Sequence, residues 1–144
     1  MEQISSLLCE NGYVLIVVPS NPREWRWDDD FYGHFRRYTV EEITQTLVAV
    51  RIKPLVFWDI TYPVFWIMRR MYTKLKSCPQ KIDQGKLVRT IESSSVNAWN
   101  IPLLSKFLSQ EFIVWDLVHK IQFKYFKDKV QNGCEMMILG KKIV

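Results

Sequence analysis

Tyr13-Val14-Leu15-Ile16-Val17-Val18-Pro19 is the stretch on which the fold turns. Its first six residues show no alternation of apolar with polar, are rich in β-branched side chains, and are closed by a proline. A continuous run of that kind predicts a strand covered on both faces, as in the middle of an α/β sheet; a helix there would be too short and too rich in valine. Just upstream, Ile4 to Leu8 reads as the end of a helix, and Asn11-Gly12 offers residues able to take positive φ at the turn. Just downstream, Ser20 to Tyr38 is polar and aromatic, and Pro22, the Asp28-Asp29-Asp30 run and Gly33 argue against regular structure.

The next signals build outward from that strand. Thr39-Val40-Glu41-Glu42 is a capping box, in which the Thr39 hydroxyl accepts from the Glu42 amide and the Glu42 carboxylate accepts from the Thr39 amide. It opens a helix to about Val50, with Val40, Ile43, Leu47 and Val50 on one face. Leu55-Val56-Phe57-Trp58, after Pro54, predicts a second strand, and Glu135 to Leu139 a third before the basic Lys141-Lys142. Between them, Thr61 to Lys76 is a basic amphipathic helix, with Phe65, Met68, Tyr72 and Leu75 at helical spacing and Arg69, Arg70, Lys74 and Lys76 on other faces. Residues 77–99 read as a loop, and 102–129 as a further helical region broken near Ser109. The order of helices and strands is that of an α/β domain.

Composition narrows the class. The chain has 144 residues, 48% hydrophobic and 14% aromatic, with 20 Lys and Arg against 15 Asp and Glu. That apolar content excludes a disordered chain, and the length suits one core. Cys9, Cys78 and Cys134 are odd in number and far apart, which excludes a disulfide framework or a paired-cysteine zinc site and fits a reducing cytoplasm. No apolar run reaches the roughly 18 residues of a membrane span, and no signal peptide is visible at Met1. The surplus of basic residues is dispersed, so no nucleic-acid module is recognisable. Asp28-Asp29-Asp30 reads as a solvated acidic turn and not as a metal site, since consecutive carboxylates cannot all face one ion.

The strand Gly12 to Pro19, followed by Trp25 and by Gly33-His34-Phe35-Arg36-Arg37-Tyr38-Thr39, resembles the second half of a class I S-adenosylmethionine-dependent methyltransferase. In that family a fifth strand ends in Pro, a loop carrying G-H-x-R-R-Y leads into a helix opened by Thr or Ser with Glu, and a sixth strand follows. Inserted lid helices come next, and a seventh strand runs antiparallel between the fifth and sixth; here it corresponds to Cys134 to Lys142. The likeness covers most of the chain, strongly over 12–59 and weakly over 60–133. It implies one domain over residues 1–144: a partial Rossmann-like fold with a three-stranded mixed sheet, the last strand central and antiparallel, and a helical lid insertion at 60–133. Two departures stand out. The helix from Thr39 ends at Arg51-Ile52 where the family has Gly, and the sequence contains no G-x-G turn, the family's cofactor signature.

What the resemblance implies for function follows from those residues. The chain would be the C-terminal, substrate-side part of a methyltransferase, inactive without an N-terminal half that binds S-adenosylmethionine, and would not bind that cofactor by itself. The acceptor would be small or lipid-linked. His34 is the candidate catalytic residue, as base or hydrogen-bond donor, or else it ties the loop to the sheet. Arg36 and Arg37 either clamp an anionic group of the substrate or hold an internal carboxylate such as Asp29 or Asp30. Trp25 and Tyr32, with Tyr38 of the motif, would line the substrate side, or else form the loop's local core. The strand at Tyr13 would expose an apolar edge, inviting self-association or a partner chain. The helix from Thr61 is a lid or lies on an anionic membrane surface. The rival reading is a non-enzymatic remnant, or an interaction module keeping half of the fold.

Overall fold

The computed structural model describes residues 1–76, Val88 and 112–143. The elements are α1 (Glu2–Leu7), β1 (Tyr13–Pro19), a 3-10 turn (Pro22–Glu24), α2 (Trp27–Phe31), α3 (Val40–Ala49), β2 (Ile52–Asp59), α4 (Val64–Leu75), α5 (Phe112–Phe126) and β3 (Glu135–Lys142). The loop expected at 77–99, and the start of the helical region at 102–111, lie outside the described residues.

The sheet order is β1-β3-β2, with β3 antiparallel to both neighbours. That is the placement expected for the last strand, but the sheet is antiparallel at every pairing and not mixed, because no parallel neighbour lies beside β1 or β2 among the described strands. Register sets the two faces, because residues paired across the strands share a side. Ile16, Ile138 and Phe57 align on one face, and Leu15, Leu139 and Val56 on the other. The first face carries the core: Ile16, Met136 and Ile138 pack with Ile43 and Leu47 of α3 and with Ile52. The capping box forms as read, with the Thr39 amide donating to Glu42 Oε2 at 2.8 Å and the Glu42 amide to Thr39 Oγ1 at 3.2 Å. Asn11 takes φ 62, as the turn required.

The second face corrects the expectation of a strand covered on both sides. Tyr13, Leu15 and Val17 are 61%, 59% and 52% exposed, so β1 is buried on one side only. Among the described residues no further strand pairs with the far edge of β1, and only its last residue, Pro19, is met there, by the Tyr38 amide. Further along, this face is partly roofed, where Phe123 of α5 packs on Trp58 with ring centroids 5.9 Å apart.

Three further differences have simple causes. β2 begins at Ile52 rather than after Pro54, because it is an edge strand with a register shift between Pro54 and Val56, where a proline costs no ladder bond. The segment from Ser20 to Tyr38 contains two short helical turns, and Asp28 and Asp29 are buried there by ion pairs rather than solvated. On α4, Phe65, Met68 and Tyr72 of the apolar stripe are half-buried, but Leu75 is exposed and Arg69 also turns inward, to those carboxylates.

The exit of α3 resolves the missing glycine. Arg51 itself adopts φ 59, its amide donates to the Val48 carbonyl at 3.0 Å, and its carbonyl accepts from the Ile143 amide at 2.9 Å. An L-residue held in the left-handed region costs about 1–2 kcal/mol, which β3 offsets by holding the segment in place. At the other end of the layer, Lys142 Nζ donates to the carbonyls of Ser5 and Leu8, closing the C-terminus of α1.

Candidate functional site

The loop after β1 is closed at its base by two backbone bonds, Tyr38 N to Pro19 O at 2.9 Å and Asn21 N to Tyr38 O at 3.2 Å. Gly33 takes φ 73, bringing the chain back so that His34 N donates to Asp29 O at 2.8 Å. The loop therefore wraps around its own acidic turn, at the carboxyl end of β1, where open α/β sheets place ligands.

Asp29 is the centre. Its Oδ1 accepts from His34 Nδ1 at 2.9 Å and Arg37 Nη2 at 2.7 Å. Its Oδ2 accepts from the Arg26 amide at 2.9 Å, Arg37 Nε at 3.1 Å and Arg69 Nη2 at 2.8 Å. Burial would raise the carboxyl pKa, but His34, Arg37 and the Arg26 amide together hold it well below the usual carboxylate range. An ionised carboxylate only accepts, so His34 donates through Nδ1, which in the neutral ring makes Nε2 the acceptor.

Around this centre lie two more pairs from α4. Arg69 grips Asp28 with two N–H groups, at 2.7 and 2.6 Å, and Arg70 pairs with the buried Glu24. Burial would raise the Glu24 pKa, and Arg70 outweighs it and keeps it low. Arg37 completes its set with the carbonyls of Ser20 and Cys134, at 2.8 and 2.7 Å. It is buried and bound to internal acceptors, the internal-carboxylate alternative of the sequence reading.

The other candidate residues fall into separate groups. Tyr32 packs near His34, with ring centroids 6.2 Å apart, and burial pushes its phenol pKa up. Arg36 is exposed and stacks over the Tyr38 ring at 4.1 Å. Trp25 donates from Nε1 to Asp30 Oδ2 at 3.2 Å on the outer side of the loop. Of the candidate residues, His34 and Arg37 thus meet on Asp29, with Tyr32 beside His34, while Trp25, Arg36 and the Tyr38 ring lie apart from it.

Sequence reading missed a second network under the sheet end. Asp59 closes β2, and its Oδ1 accepts from the amides of Thr61 and Tyr62 at 2.8 and 2.7 Å. Its Oδ2 accepts from the Gly133 amide at 2.7 Å, and Thr61 Oγ1 accepts from the Cys134 amide at 2.8 Å. These bonds tie β2, the turn before α4 and the start of β3 together. Beside them opens a cavity of about 270 Å³ lined by Ile60, Thr61, Phe65, Arg69, Cys134 and Glu135. The only hint in sequence was Asp59-x-Thr61 at the end of an apolar run, a common turn pattern.

Electrostatically the cavity's groups differ. Burial pushes the Cys134 thiol up, which keeps it protonated and unreactive. Surrounding protein also pushes the Glu135 carboxyl up, while its exposed surface lets water moderate the shift. Among the described residues no cluster of His, Cys, Asp or Glu is arranged to hold a metal ion, and no helix is long and apolar enough to cross a membrane.

Compared with protein-family models, with curated proteins and with solved structures, the chain matches none.

Proposed function

We propose that this chain is the substrate-side part of an S-adenosylmethionine-dependent methyltransferase, acting on a small or lipid-linked acceptor and inactive by itself. The observation that carries the reading is the sheet. A last strand lies antiparallel between two others, and β1 keeps an open edge and a bare apolar face on the side where further strands and helices would stack. The G-H-x-R-R-Y loop lies at the carboxyl end of that strand.

The described residues do not fit the cofactor. β1 is followed by Ser20-Asn21-Pro22 and β2 by Ile60-Thr61-Tyr62-Pro63, and neither turn offers the glycines that let a backbone approach an adenosyl group. No step through it is derived. What this chain contributes is the acceptor side. His34, fixed by Asp29 through Nδ1, presents Nε2 to take a proton from an acceptor O–H or N–H, and Tyr32 walls the approach. Arg37 and Arg69 keep Asp29 ionised and so keep His34 in that tautomer. The same reading gives a cytoplasmic protein whose partners are the acceptor and a polypeptide docked along β1. Nucleic acid is not among them, and contact with a membrane surface enters only through a lipid-linked acceptor.

The test is to translate the nucleotide sequence preceding Met1 in all frames and to co-express any Gly-rich strand-turn-helix segment found there. The expected result is that the two parts copurify and bind S-adenosylmethionine by calorimetry, while the 144-residue chain does not. Copurification without cofactor binding would favour the interaction-module reading, which the same bare edge supports. Cofactor binding by this chain alone would overturn the division of labour.

A further inference from the structure

The cavity beside Asp59 adjoins the Asp29 centre through Arg69, and its remaining charge sets what it can hold. Four acids crowd this end of the sheet, and three are fully engaged. Asp28 is paired with Arg69, Asp29 with Arg37 and Arg69, and Asp59 with backbone amides and the Thr61 hydroxyl. Glu135 is the exception: among the described residues its carboxylate has no hydrogen bond and no ion pair, though Arg37, His34 and Arg69 lie close enough to act on it through space. Both guanidiniums are already neutralised, and Arg69 has committed four N–H groups to Asp28, Asp29 and the Glu24 carbonyl. Ile60 and Phe65 add apolar lining. Phe65 stacks with Trp115 and His119, with ring centroids 6.0 and 5.0 Å away, which restrains its ring.

We propose that this cavity is a binding site for a small organic cation, an aryl-alkyl ammonium whose flat body lies against Phe65 and Ile60 and whose N–H groups donate to Glu135. An ammonium there gains a charge-assisted hydrogen bond that no side chain supplies, and lies near an aromatic face. An anion meets an unpaired carboxylate and no free cation. The volume admits a single ring with a short tail. The site belongs to this chain alone and does not depend on the methyl-transfer reading.

The experiment uses the whole 144-residue chain and three phenylalkyl probes: phenethylammonium, its isosteric alcohol 2-phenylethanol, and 3-phenylpropanoate. Binding is followed by amide chemical shifts. The ammonium is expected to bind about tenfold more tightly than the alcohol, and the carboxylate more weakly than either. E135Q removes the charge at constant shape and brings ammonium and alcohol to within about twofold of each other. F65L weakens both without changing their ratio, so a poorly folding E135Q would still leave a readable outcome. The proposal fails if the carboxylate binds best, if E135Q keeps the preference for the ammonium, or if none of the three binds at about 10 mM.

Discussion

Replacing Asp29 by Asn tests the centre of the loop directly. The change keeps the shape and removes one charge. Five donors converge on the two carboxylate oxygens: His34 Nδ1, the Arg26 amide, Arg37 through Nε and Nη2, and Arg69 Nη2. Whichever oxygen becomes NH2 then faces at least two of those donors, and two guanidiniums lose a share of their countercharge in a buried site. Breaking a buried ion pair by removing one partner costs about 3–5 kcal/mol, against a total stability of about 5–15 kcal/mol for a domain. With a urea m-value near 2 kcal/mol/M, the midpoint of unfolding followed by far-UV circular dichroism should fall by about 2 M. The control is D30N, which alters the exposed neighbour and should shift the midpoint by no more than about 0.3 M. A pH series adds a second reading. The Asp29 pKa is lower in the folded chain than in the unfolded one, so its contribution is complete above about pH 4 and drains away as pH falls below that. Wild type should therefore lose stability on acidification more steeply than D29N. Equal midpoints for D29N and D30N, or parallel acid slopes for wild type and D29N, would refute the buried centre described here.

Three other substitutions probe the frame around it. R51G relieves the positive φ at the exit of α3 and should raise stability by about 1 kcal/mol, measured by urea titration; a loss would mean that the arginine side chain matters more than the backbone strain. G133A should lower stability by more than about 2 kcal/mol, because a Cβ would lie 2.3 Å from Thr61 Oγ1 and 2.4 Å from Asp59 Oδ1; an unchanged thermal midpoint would contradict the Asp59 network. The double substitution L15E with V17E places charges on side chains already more than half exposed, so the fold should persist, with each change within about 0.5 kcal/mol, while any self-association seen by light scattering disappears. Persistent oligomers in that variant would show that the bare face is not the adhesive one.

What the sequence made legible was local. The capping box at Thr39 and Glu42 reads directly, because both partners lie within four residues, and so does the turn at Asn11. The strands read from their apolar runs, although Pro54 concealed the first residues of β2, since a proline forbids only the ladder bond that an edge strand can spare. Of the ion-pair network only Arg37 with an acidic-turn carboxylate reads from sequence, as one of two alternatives; the arginines of α4 do not. Asp28 and Asp29 find Arg69 some forty positions away on a different element, and nothing in a run of three aspartates says which of them will turn inward. Arg69 lies four residues after Phe65 and three before Tyr72, at the margin of the apolar stripe, and the buried carboxylates opposite it explain why a charge is held there. Cys134 and Glu135 became part of a cavity for the same reason: Thr61 holds their amides across more than seventy residues of chain.

The one strand whose sequence and environment disagree is β1, and the disagreement is informative. Val14, Ile16 and Val18 face the core under α3, so apolar side chains are required there. Tyr13, Leu15 and Val17 face solvent, where an antiparallel edge strand with one open face ordinarily alternates to polar residues or carries a lysine against unwanted pairing. Here neither device is present before Pro19. Along the same face β3 continues with Met137 and Leu139, opposite Val17 and Leu15, so the apolar surface extends across two strands and is not one stray side chain. An edge strand apolar on both faces suits a second layer and a further strand. The bare face of β1 is therefore the physical ground on which a completing polypeptide is proposed.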